Sequence, residues 1–111
     1  MPIIQVSTNL TNDEIADEFE KRFSVFLAEI LDKPIERITV IINCGSRVCS
    51  AGDSSPYMLI TIHAIDRFNE QNNPGYTDKI LAFVQEETNL PGNKIHILYA
   101  DLLPHMVGKG K

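Results

Sequence analysis

Apolar residues recur at helical spacing between Asp13 and Leu31. Ile15, Phe19, Phe23, Phe26, Leu27 and Ile30 fall on one face, with Asp17, Glu18, Lys21, Arg22 and Glu29 on the other. That period predicts an amphipathic helix over Asp13–Leu31 with its apolar stripe turned to a core. Thr11 or Asn12 suits its N-cap, Asp13 and Glu14 suit the positive end of its dipole, and Pro34 stops it. A second helix is predicted over Pro74–Thr88, with a shorter stripe of Ile80, Leu81 and Val84. Pro74 lies in its first turn and Pro91 beyond its end. Four stretches rich in Ile and Val read as strands: Ile3–Ser7, Ile38–Asn43, Met58–Ile65 and Ile95–Tyr99.

The order is strand, helix, strand, then the same again. Asp32-Lys33-Pro34-Ile35-Glu36-Arg37-Ile38-Thr39-Val40 and Asn89-Leu90-Pro91-Gly92-Asn93-Lys94-Ile95-His96-Ile97 share a helix end, a proline, a basic residue and a strand entry. Ile4-Gln5-Val6 and Ile60-Thr61-Ile62 match in the same way. This predicts an α/β fold built from a duplicated β-α-β unit. Alternation within the strands puts Ile4, Val6, Ile60, Ile62, Ala64, Ile95, Ile97 and Tyr99 on one set of faces. The opposite faces are mixed: Gln5, Ser7, Thr39, Thr61, His63 and His96, with Ile3, Ile41, Ile65 and Leu98 among them. Two helices cover one face of a four-stranded sheet, so the mixed face meets solvent or another subunit. Its apolar members favour another subunit.

Composition narrows the classes. The chain has 111 residues, which fits one domain over 1–111. Its formal net charge of −5 argues against nucleic acid or an anionic membrane as the main partner. No apolar run approaches the roughly 18 residues of a membrane span. Met1-Pro2-Ile3-Ile4-Gln5 is not a conventional signal peptide, which predicts a cytoplasmic protein. Cys44 and Cys49 lack Cys-x-x-Cys spacing, so free thiols are expected in an intracellular chain, although a disulfide across the short loop is open. His63, His96 and His105 lack the spacing of a metal helix, and His63 and His96, both on strands, could converge but have no carboxylate placed with them; no metal site is expected. Asn9-Leu10-Thr11 is a glycosylation sequon, without significance in a chain that is not secreted through a signal peptide.

The N-terminus is the chemically informative place. Methionine ahead of a small residue such as Pro2 is normally trimmed, which exposes a secondary amine. An amine at a strand end, in apolar surroundings and near a cation, has its charged form disfavoured and serves as a base near neutral pH. If Met1 stays attached, Pro2 is a tertiary amide and has no basic lone pair.

Several segments carry a family resemblance. They are Met1–Leu10, Leu31-Asp32-Lys33-Pro34, Arg37–Val40, Gly52-Asp53-Ser54-Ser55-Pro56, Thr61-Ile62-His63-Ala64-Ile65, Leu90-Pro91 and Val107-Gly108. Over essentially its whole length the chain resembles the macrophage migration inhibitory factor and D-dopachrome tautomerase family of the tautomerase superfamily. The resemblance implies a two-layer duplicated β-α-β fold with pseudo-twofold symmetry, assembled as a homotrimer whose sheets form a central barrel. It implies a keto–enol tautomerase, an isomerase of phenylpyruvate- or dopachrome-type substrates that needs no metal or organic cofactor. Pro2 matches the family's catalytic base. Lys33 matches the residue that holds the carboxylate of a small anionic keto or enol acid, and Ile65 matches a pocket residue. His96 and Leu98 stand where the family often has a tyrosine and an asparagine, both supplied by a neighbouring subunit. Leu98 cannot hydrogen-bond, and after Val107-Gly108 only Lys109-Gly110-Lys111 follow. Those departures favour the alternative, a cytokine-like binding protein with the fold but little or no tautomerase activity; the resemblance leaves open a protein receptor and export without a signal peptide. The family's Cys-x-x-Cys positions read Tyr57-Met58-Leu59-Ile60, so thiol-reductase activity is not implied.

Overall fold

The computed structural model describes residues 1–110. Lys111, part of the short C-terminal run noted above, lies outside the described residues. Four strands, β1 (Ile3–Thr8), β2 (Thr39–Asn43), β3 (Met58–Ile65) and β4 (Ile95–Leu102), form one sheet in the order β2-β1-β3-β4. Two helices, α1 (Phe19–Leu31) and α2 (Asn73–Thr88), supply the crossovers. β1–β2 and β3–β4 pair in parallel and β1–β3 pair antiparallel, so the sheet consists of two β-α-β units joined along their first strands. The duplication expected from sequence is visible in the pairing. Ile3 lies opposite Thr39 in one unit and Met58 opposite Ile95 in the other, offsets that differ by a single residue.

The alternation in the strands sorts as predicted. Ile4, Val6, Met58, Ile60, Ile62 and Ala64 are fully buried under the helices. They meet Phe19, Phe23, Leu27 and Leu31 of α1 and Ile80 and Val84 of α2 in one apolar core. Phe83 stacks on Phe26 at a centroid distance of 4.6 Å and on Phe23 at 5.4 Å, which locks the two helices together. On the solvent side of that contact Arg22 makes a two-pronged ion pair with Glu87, at 3.1 and 2.6 Å.

The first helix begins later than its period suggests. Asn12–Glu14 form a single 3-10 turn, closed where the Thr11 N–H donates to the Glu14 carboxylate at 2.9 Å. Ile15 then takes extended backbone and still buries its side chain, at 8% exposure. Glu18 sits in the left-handed region (φ 63°), and its carbonyl accepts the N–H groups of Lys21 and Arg22 as α1 starts. The apolar period runs through this break because an extended residue and a helical one point at the same core. The far end of α1 behaves as expected of a stop before Pro34. Asp32 is left-handed (φ 52°), and the Lys33 N–H reaches back to the Ala28 carbonyl at 3.1 Å.

Beyond β1, buried Thr8 donates to the Tyr57 carbonyl (2.7 Å) and accepts from the Leu10 N–H (3.1 Å). The Asn9 amide donates to the carbonyls of Ser54 and Ser55, and its oxygen accepts from the Tyr57 N–H at 2.8 Å. The sequon asparagine is therefore a loop brace. Gly45, at φ +69°, turns the chain after β2 so that its N–H meets the Leu10 carbonyl at 2.7 Å, a conformation that favours glycine.

Phe23 carries the helix–helix stack and is fully buried, so Phe23→Ala should cost about 3–5 kcal/mol. A urea titration should show this as a lower midpoint at unchanged slope. A midpoint equal to wild type would place the core's stability elsewhere.

Candidate active site

The pairing registers lay the outer face out as a grid. Thr39, Ile3, His63 and Ala100 form one row across the sheet. Ile41, Gln5, Thr61 and Leu98 form the next, and Asn43, Ser7, Leu59 and His96 the third. Ile41 (43%) and Leu98 (55%) are the exposed apolar ends of the middle row, one on each edge strand. The mixed face predicted from alternation is this grid.

Pro2 lies at the head of the first row's strand. It is buried, and its carbonyl accepts from the Thr39 N–H at 3.1 Å, so the β1–β2 ladder reaches it. Continuing the β1–β3 register one step past Ile3–His63 brings Pro2 alongside Ala64, with half-buried Ile65 following. Ahead of Pro2, Met1 lies in a cleft of about 360 Å³ also lined by Ile3, Gln5, His63, Leu102, Met106, Val107 and Gly108. Pro2 sits behind that cleft rather than in its wall.

The electrostatics at this end are one-sided. The N-terminal amine is held below its ordinary value, chiefly by burial and then by the positive charges of Arg37, Lys109 and Lys33. Two of these lie in the connection from α1 to β2, and the third comes from the far end of the chain. Lys33 follows the left-handed cap of α1, Arg37 closes the 3-10 turn Ile35–Arg37 ahead of β2, and Lys109 lies in the C-terminal tail. Each disfavours a second positive charge, so the amine tends to its neutral, basic form.

The structure thus gathers Pro2, Lys33 and Ile65 at one end of one chain. His96 and Leu98 lie elsewhere. Leu98 is in the second row on β4, and His96 is in the third, where its Nδ1 lies 2.8 Å from the Tyr57 hydroxyl. His63 and His96 do not converge: they are four positions apart along neighbouring strands. Among the described residues no three metal-binding side chains cluster, and Cys44 and Cys49 are free thiols. Sequence reasoning did not single out Arg37 or Lys109. A signal for Arg37 was present in the repeat, where Lys94 holds the matching place ahead of β4.

A four-stranded mixed sheet with two crossover helices on one face is the architecture of solved macrophage migration inhibitory factors. That of Trichinella spiralis superposes with a TM-score of 0.93 at 22% identity, covering 96% of this chain and 95% of that one. The homologue from Prochlorococcus marinus superposes at 0.86 and 18% identity, over 97% and 95%. The chain belongs to the macrophage migration inhibitory factor (MIF) family, whose sequence model matches residues 1–111. It is 36% identical over 108 residues to the MIF-like protein mif-2 of Caenorhabditis elegans, covering 97% of this chain and 90% of that one. It is also 27% identical over 110 residues to the D-dopachrome decarboxylase-B of Xenopus laevis, over 98% and 93%.

The N-terminal amine should titrate below the ordinary α-amino value in an NMR pH series, and Arg37→Gln or Lys109→Gln should move it upward. The unfolded chain, with its ordinary value, binds more protons in the window between the two values. Stability should therefore rise with pH across that window and level off above it. An amine that titrates at its ordinary value in the folded protein would show that the three cations do not act on it.

Proposed function

We propose that the protein is a keto–enol tautomerase acting on small anionic keto or enol acids of the phenylpyruvate or dopachrome type, with Pro2 as its base. The observation that carries this reading is the cationic, partly buried setting of the N-terminal amine. Removal of Met1 frees the Pro2 nitrogen as a secondary amine at the same end of the sheet and takes away one residue that lines the cleft. The neutral secondary amine then takes a proton from the carbon beside the substrate carbonyl. The ammonium so formed returns a proton to the oxygen, and the reverse sequence ketonises an enol. Burial and the positive surroundings raise the fraction of Pro2 that is basic near neutral pH. Lys33, at the C-terminal end of α1, holds the substrate carboxylate, and Ile65 forms the pocket wall beside Pro2. The D-dopachrome decarboxylase names among the relatives favour the dopachrome-type substrate.

In this reading the protein works as a homotrimer. Ile3, Ile41 and Leu98 leave the outer face partly apolar, at 37%, 43% and 55% exposure, and a central barrel of three sheets covers them. A neighbouring subunit then brings His96 and Leu98 to the pocket, which the single chain leaves remote from Pro2. Leu98 offers no hydrogen bond, and His96 is already engaged by Tyr57. Those two facts favour the second reading, a cytokine-like protein that binds a receptor and turns over substrate slowly or not at all.

Kinetics on hydroxyphenylpyruvate with Met1-free protein separates the two. Pro2→Gly should leave the fold intact and lower kcat/KM by about 100-fold or more, as loss of a general base does. Equal activity in variant and wild type would sink the role of Pro2, and inactivity of both would favour the binding protein. Light scattering at micromolar concentration should give a mass near three chains. A monomer would remove the neighbouring strand from the pocket.

A further inference from the structure

Arg67 makes an unusual set of contacts for a surface arginine. It follows left-handed Asp66 (φ 55°) just after β3. Its Nε–H donates to the Leu31 carbonyl at 2.7 Å, its Nη2 to the Asp32 carbonyl at 3.2 Å, and its Nη1 to the Asp66 carbonyl at 3.0 Å. Among the described residues it forms no ion pair with a carboxylate. Leu31 and Asp32 are the last carbonyls of α1, where a cation answers both the orphan acceptors and the negative end of the dipole. The backbone that carries the guanidinium is itself pinned, because the N–H groups of Arg67 and Phe68 both donate to the Asp101 carboxylate at 3.2 Å.

Lys33 is the next residue after Asp32, and Ile65 lies two residues before Arg67. We propose that Arg67 is a positioning residue, whose guanidinium clasps the end of α1 to the β3–α2 connection and so fixes Lys33 and Ile65 relative to each other at the Pro2 end of the sheet. This rests on the tautomerase reading for its purpose, though not for its geometry. A guanidinium suits this place, since its planar fork aims separate N–H groups at three carbonyls, where an ammonium gathers its donors on a single atom. Arg67 is not itself among the cations that act on the N-terminal amine, which are Arg37, Lys109 and Lys33. On this proposal its influence there passes through Lys33, which follows the Asp32 carbonyl that it clasps.

That indirect route gives a test that does not need turnover. The N-terminal amine is titrated by NMR in wild type, Arg67→Ala, Lys33→Ala and the double variant, on whichever residue carries the amine in the isolated protein. Lys33→Ala should raise its midpoint. Arg67→Ala should raise it by less, and should add nothing once Lys33 is gone, because coupled residues are non-additive. If Arg67→Ala fails to fold, Arg67→Lys replaces it and should give a smaller rise with the same dependence on Lys33. A rise of the same size with and without Lys33, or no rise with Lys33 present, overturns the proposal. In the kinetic assay, at a pH above the amine's midpoint, Arg67→Ala should raise KM about threefold with kcat unchanged, since the contact of Lys33 with the carboxylate is loosened and not lost. The tautomerase reading fails separately, through Pro2→Gly kinetics, and its failure leaves the titration result standing.

Discussion

The antiparallel pairing of β1 with β3 is the constraint on which the rest of the molecule depends. It joins two β-α-β units by their first strands, both buried on their helix side by Ile4, Val6, Ile60 and Ile62. Each unit alone would leave one edge of its first strand unpaired and its helix packed on only two strands. Joined, they share one core, and the free edges fall on β2 and β4. The same pairing places the N-terminus at the middle of the sheet rather than at its margin, within reach of the connections that follow α1 and β3.

The chemistry at that end follows from where the α1–β2 connection and the C-terminal tail return. The end of α1 delivers Lys33, the turn before β2 delivers Arg37, and the C-terminal tail delivers Lys109. Lys33 and Arg37 share the connection from α1 to β2, and Lys109 comes from the far end of the chain. The positive surroundings of the N-terminal amine are thus a product of topology, built by parallel crossovers that bring each unit's second strand back beside its first.

Much of this was legible in the sequence. The strand alternation gave the core and outer faces, and the Pro34 and Pro91 segments disclosed the duplication. The start of α1 was not legible, because Ile15 keeps its core-facing place in extended backbone while Thr11 and Glu14 close a separate turn. Lys33 was legible from the family resemblance, but Arg37 was not. Periodicity says nothing about which charged residue faces a distant terminus. The repeat placed Arg37 and Lys94 in equivalent turns, yet Lys94 is tied to Asp53 and to the Ser50 carbonyl while Arg37 faces the amine. Arg67 was illegible for a related reason: its partners are backbone carbonyls, which every residue possesses and no motif marks.

The brace formed by Asn9 bears on modification. Both donor contacts of its amide nitrogen are committed to the Ser54 and Ser55 carbonyls, and its oxygen to the Tyr57 N–H. Attaching a sugar at that nitrogen would replace a hydrogen and place bulk where two loops meet. The folded chain is therefore a poor acceptor for oligosaccharide transfer despite an intact Asn-x-Thr tripeptide. A glycan on Asn9 is more readily added before the β1 loop closes on the segment ahead of β3, and a chain that carried one would give up at least one contact of that brace.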